Sequence, residues 1–134
     1  MPAPAHTEPK DLTFTDNPVA KGRPDHYIDI TVDTGKVMKS WRESLFSFEW
    51  LLPDGRIKSA AELSETERPR REAVEAALAS HQPLDKPVLG IGMLDNVEIG
   101  SGRATFLTLV AHGLTTIPVH IPKANEADFK KFRV

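Results

Sequence analysis

The chain contains no cysteine. That excludes disulfides, thiolate metal sites and cysteine nucleophiles, and it fits a reducing, cytoplasmic setting. Neither sign of charge is in excess: the formal net charge is −2 over 134 residues. Any contact with DNA or RNA must therefore come from a local basic patch rather than the global field. No apolar run approaches the roughly 20 residues that a membrane helix needs, so no membrane partner is expected. The opening MPAPAHTEPK lacks a basic stretch followed by an apolar one and does not read as a secretory signal. There is no internal repeat. What is present, 40% hydrophobic and 27% charged residues, suffices for one compact core and is too apolar for a wholly disordered chain.

Prolines crowd the beginning: Pro2, Pro4, Pro9, Pro18 and Pro24 lie among polar residues. Residues 1–25 read as a flexible or loosely docked arm, with one domain over residues 26–134. His26–Val32 alternates, Ile28, Ile30 and Val32 against Asp29 and Thr31, as a half-buried strand does before the turn Asp33-Thr34-Gly35. Lys36–Leu52 satisfies both periods. The reading chosen is a helix to about Leu45, a short strand through Phe46, Phe48, Trp50 and Leu52, a turn at Pro53-Asp54-Gly55 and a return strand over Arg56–Ser59. A helix is expected over Thr66–Ser80, with an apolar stripe of Ala73, Val74, Ala77 and Leu78, and with Ser64 and Glu67 as a capping box. His81–Lys86 reads as a connection. Strands follow at Val88–Leu94 and Val97–Ile99, then a helix closed by Gly113 and a strand at Thr116–Ile121. Pro118 favours an edge or a strand end for that last strand. Phe129 and Phe132 suggest a short terminal helix. The fold class expected is α/β (α+β), a small mixed sheet flanked by helices.

The segment Glu98-Ile99-Gly100-Ser101-Gly102-Arg103 stands between a strand and a helix start. Gly100 and Gly102 permit positive φ and a close backbone approach to a ligand. A helix N-terminus offers unpaired N–H groups that suit a phosphate. Arg103 can add a charged contact, and Ser101 or Thr105 a hydroxyl. The competing reading is a plain strand-to-helix turn with Ser101 as N-cap. No Gly-Lys-Ser/Thr follows, so the segment is not a P-loop.

Two further runs, His112-Gly113-Leu114 and Thr116-Ile117-Pro118-Val119-His120-Ile121, complete a pattern with that turn and with Pro87-Val88-Leu89. Over roughly residues 66–122 this order resembles the ParB/sulfiredoxin superfamily. There an acidic strand end runs into a Gly-Arg turn, a helix ending in Gly and an Ile/Val-Pro-Val strand. Gly102, Arg103, Phe106 and Pro118 fit the spacing. The resemblance implies a ParB-like single domain that binds nucleotide or nucleic acid through Gly100, Ser101, Gly102, Arg103 and Thr105. It also implies a nucleoside triphosphate with Mg as the cofactor to test, and a weak nuclease or nucleotide-hydrolysing activity. Ala104 and Thr105 stand where many relatives carry His and a second Arg. The cysteine of sulfiredoxins is absent, which excludes sulfinic-acid reduction. These departures motivate an alternative: a catalytically inactive regulator or inhibitor of plasmid or phage origin that binds another protein. Phosphorylation of a small molecule is a third reading, disfavoured by the missing basic residue.

Arg68, Arg70 and Arg71 form the densest basic cluster. They read either as a nucleic-acid patch with Arg103 or as a solvated helix face partnered by Glu65, Glu67, Glu72 and Glu75. Of the candidate acid/base groups Asp54, Glu62 and Glu98, only Glu98 is placed next to the glycine turn, and an ion pair with Arg103 explains it equally well. No histidine pair has the i, i+4 spacing of a helical metal site, so no metal is expected. Trp41 and Trp50 are expected in the core.

Overall fold

The computed structural model describes residues 12–134. The elements in chain order are β1 (Phe14–Thr15), α1 (Pro18–Gly22), β2 (Tyr27–Asp33), α2 (Thr34–Trp41), α3 (Arg68–Ala79), β3 (Leu84–Asp85), β4 (Leu89–Ile91), β5 (Val97–Ile99), α4 (Arg103–Ala111) and β6 (Thr116–Pro122). This is an α+β domain, as expected. No helix among the described residues is long and apolar enough to cross a membrane.

β2 and β6 pair antiparallel from Tyr27↔Pro122 to Asp33↔Thr116, and β4 pairs antiparallel with β5. A parallel bridge between Val88 and His120 joins the two ladders into a small mixed layer. The His120 N–H donates to Pro87 O on the β4 side. Strand side chains and N–H groups alternate with period two, so the donors that Pro118 and Pro122 lack would also point away from β2. Both prolines thus fit a strand that keeps its whole register on the other side. The tail covers the far edge of β2: Val32 bridges Arg133, and the Val134 N–H donates to Thr31 O. Phe129 and Phe132 are buried, ring edge to face, with centroids 5.6 Å apart.

The core lies between this layer and the helices. Val32, Val37, Trp41, Phe106, Leu107, Leu109, Ile117, Val119 and Ile121 are fully buried, each large side chain contributing about 1.5–3 kcal/mol by removal from water. Asp33 caps α2 by accepting from the Lys36 N–H at 3.0 Å, so the turn expected at Asp33–Gly35 is a helix start. Gly113 ends α4 at φ 92, with its N–H on Val110 O.

Three expectations need correction. The strand through Phe46 and Leu52 is absent: α2 ends at Trp41, and a 3-10 turn occupies Ser47–Glu49. The reason is local polar competition. Ser44 Oγ accepts from the Phe46 N–H, and Ser47 Oγ donates to Ser44 O and Arg42 O. Only a bridge between Leu51 and Ile57 remains of the predicted hairpin. Ser64 makes its half of the expected capping box, its Oγ accepting from the Glu67 N–H at 3.2 Å, but the complete box sits at Ser59 and Glu62. The Glu67 side chain is buried and accepts from Trp50 Nε1 at 2.9 Å. Finally, the described part of the expected arm is docked. β1 pairs parallel with β3, inside the segment read as a connection, and Asn17 and Ala20 are buried. Residues 1–11 lie outside the described residues.

Candidate functional site

The Gly100–Arg103 turn lies against its own chain. Gly102 has φ 83, and a Cβ there would stand 2.9 Å from Pro87 Cα. Its freedom is therefore spent on packing against Pro87 rather than on approaching a ligand. Gly100 N–H donates to Val88 O, and Val88 N–H to Ser101 O. Ser101 does not cap α4: its hydroxyl accepts from Asn17 Nδ2 at 3.1 Å, and no side chain caps that helix.

Arg103 is engaged by its own chain. Its Nε donates to Ile99 O at 3.1 Å, its Nη1 donates to Glu49 Oε1 at 3.2 Å, and its guanidinium carbon lies 5.4 Å from the Phe46 ring centroid. Glu98 forms no pair with it. Glu98 Oε1 accepts from Ser44 Oγ at 2.7 Å and Oε2 from Asn96 Nδ2 at 2.9 Å, which makes it a strut between the loop after α2 and the β4–β5 hairpin. The arginine cluster divides as well. Arg68 donates to Ala60 O and Leu63 O, and Arg71 to Lys58 O, so both hold the preceding loop. Arg70 stays at the surface, 3.4 Å from Glu67.

Beside the turn lies a cleft of about 530 Å³, in which Arg70 and Ala73 of α3 face Gly100, Ser101, Gly102 and Thr105. Arg103 and Ala104 line it as well. The first backbone bond of α4 runs from the Phe106 N–H to Gly102 O. The N–H groups of Arg103, Ala104 and Thr105 are thus the unpaired donors that a helix start exposes.

A second constellation escaped the sequence reading. His120, 2% exposed, accepts from the Asn17 backbone N–H through Nε2 at 3.0 Å. That contact places its proton on Nδ1, which donates to Asp29 Oδ1 at 2.6 Å. Lys86 Nζ lies 2.9 Å from Asp29 Oδ2 and 3.3 Å from Asp16 Oδ1. Burial pushes the Asp29 carboxyl up, but hydrogen bonds from Lys86 and His120 and the charge of Lys86 outweigh it and hold the group below its ordinary value. Burial pushes the Lys86 ammonium down, and bonding to Asp29 and Asp16 more than reverses this. Asp16, Asp29 and His120 offer ligand atoms within 4.8 Å of one another. The Lys86 ammonium bridges the two carboxylates and offsets one of their two negative charges, and both imidazole nitrogens are already engaged.

Asn17 ties the two regions together. Its Oδ1 caps α1 at the Val19 N–H, and its Nδ2 donates to Lys86 O and Ser101 Oγ. Asn17 followed by Pro18 at the first helical position was the available signal. Nothing in the sequence distinguished His120 from its apolar neighbours.

No protein-family model matches the chain, and no curated protein or solved structure does either. These comparisons lend no support to the resemblance to the ParB/sulfiredoxin superfamily.

Proposed function

We propose that this protein is a binding module for a phosphate-bearing ligand, a nucleotide or a nucleic-acid backbone, held between α3 and the start of α4. The observation that carries the reading is the cleft itself. It brings the exposed Arg70 together with the uncapped N-terminus of α4 and the hydroxyl-bearing Thr105. Its volume lies within the range of ligand sites, and its donors suit a phosphate. A nuclease or hydrolase activity finds less support, since Glu98 is engaged by Ser44 and Asn96 and Arg103 by Glu49.

Calorimetric titration with ATP, CTP, GTP and a single-stranded oligonucleotide, with and without Mg²⁺, tests the proposal. Arg70→Ala should weaken binding about tenfold through the loss of one charge-assisted hydrogen bond. Glu67→Gln keeps an acceptor for Trp50 while removing the carboxylate beside Arg70, so it should tighten binding. Equal affinities for both variants and the parent would overturn the assignment. The regulator reading rests on a different observation: Leu45, Phe46 and Phe48 are 75%, 51% and 69% exposed, an apolar face of the kind that protein partners cover.

A further inference from the structure

The loop after α2 borders a groove that the phosphate reading does not use. It encloses about 500 Å³ between Arg42, Phe48, Leu51, Leu52, Pro53 and Lys58. Leu51 is buried at its floor, whereas Phe48 stands largely in water at its wall. The charged residues that line it are both cations. Neither Arg42 nor Lys58 has a carboxylate within ion-pair distance among the described residues. Lys58 acts on Glu62 only as a weak charge through space. Arg42 lies over the turn that follows: a Cβ at Gly55, where φ is 89, would stand 2.8 Å from Arg42 Cζ.

An apolar floor between two unpaired cations defines a ligand chemistry. We infer that this groove docks a short acidic peptide segment, one large apolar side chain seated on Leu51 beside Phe48 and flanking carboxylates on Arg42 and Lys58. Charge complementarity selects the occupant. Glu43 and Asp54 are exposed around the groove, and Glu49 stands beside Arg103. A flat anionic bilayer would meet these carboxylates along with the cations, whereas a narrow chain inside the groove meets the cations alone. A nucleic-acid backbone would leave the apolar floor unused.

Selection of random dodecapeptides displayed on phage, using the full chain as bait, tests this. The expected consensus is a Phe, Leu or Trp flanked by Asp or Glu. In fluorescence anisotropy, Arg42→Glu with Lys58→Glu should weaken the selected peptide by about tenfold or more. The same pair should turn a repeated selection toward basic peptides, which a merely structural role would not do. Phe48→Ser should weaken binding without changing the charge preference. Peptide binding should be indifferent to saturating ATP, which separates this site from the α3–α4 cleft. A basic or featureless consensus, unchanged affinity in the double variant, or displacement by ATP would overturn the inference. So would capture by phosphatidylserine vesicles in preference to peptide. Self-association that Phe48→Ser abolishes would assign the groove to a second copy of the chain instead.

Discussion

Asn17→Ala should loosen the N-terminal segment and the glycine turn together. Three side-chain bonds disappear: the α1 cap to the Val19 N–H at 2.9 Å, and the donations to Lys86 O at 3.0 Å and Ser101 Oγ at 3.1 Å. A lost Asn cap costs about 1 kcal/mol, and each further bond about 0.5–1.5 kcal/mol. The sum is about 2–4 kcal/mol, provided the backbone bond from Asn17 N–H to His120 survives. The amides of Leu84 and Lys86 report the effect, because they donate to Thr13 O and Thr15 O across the β1–β3 seam. Native-state hydrogen exchange read by NMR should show these two amides exchanging at least about 30-fold faster, since each 1.4 kcal/mol is a factor of ten. Asn17→Asp retains the cap and loses the two donations, so its effect should be intermediate. If both amides exchange within about threefold of the parent in Asn17→Ala, on the same tenfold-per-1.4 kcal/mol scale, Asn17 is not the fastening that its geometry indicates.

Two other perturbations follow from the same region. Gly102→Ala combines a left-handed backbone cost of about 1–2 kcal/mol with a collision against Pro87, whereas Gly113→Ala, also at positive φ, meets no atom within 4 Å. Urea denaturation followed by Trp41 and Trp50 emission should therefore rank Gly102→Ala as the more destabilising, and the reverse order would contradict the packing. The pH dependence has two limbs. Asp29 titrates below its ordinary 3.8, so its stabilisation is present above that value and is lost as pH falls through the lowered one. Lys86 titrates above 10.5, so its stabilisation is present below that value and is lost as pH rises through the raised one. Both limbs should be shallow, because the Asp29 side chain is 54% exposed and water screens the pair. Asp29→Asn should flatten the acid limb of the urea midpoint between pH 2 and 5; an unaltered limb would assign acid sensitivity elsewhere.

The strands β2, β5 and β6 and two helices were legible because their signals are local and periodic, whereas Met93 and Leu94, read into the strand from Val88, stand exposed in the β4–β5 turn. Ile30 and Val32 alternate inward with Asp29 and Thr31 outward, and Gly113 closes α4 where the apolar run ends. The segment after α2 was misread because Phe46, Phe48, Trp50 and Leu52 satisfy the strand template, yet Phe46 and Phe48 are exposed while Trp50 and its neighbour Leu51 are buried. Consecutive burial is a turn's pattern, imposed by the Ser44 and Ser47 side chains and by the distant acceptor Glu67. Docking of residues 12–25 was illegible for a similar reason. Proline and polar content describe how little a segment can bury by itself, whereas Asn17 is ordered by Lys86, Ser101 and His120, from 69 to 103 positions away.

The glycine turn shows how far a motif can be carried. A glycine is demanded wherever a Cβ would collide, and the sequence is silent on whether the obstacle is a ligand or the chain itself. At Gly102 the obstacle is Pro87. Ser101 and Glu98 are likewise drawn inward, to Asn17 and to Ser44, so the residue types that suggested chemistry mostly account for the fold. Arg103 differs, because it belongs to two surfaces. It lines the α3–α4 cleft, while its guanidinium reaches Glu49 and Phe46 in the loop that also presents Phe48. The spacing placed Arg103 at the functional centre as a phosphate ligand. Its contacts with Glu49 and Phe46 make it a side chain that borders both the cleft and the apolar face.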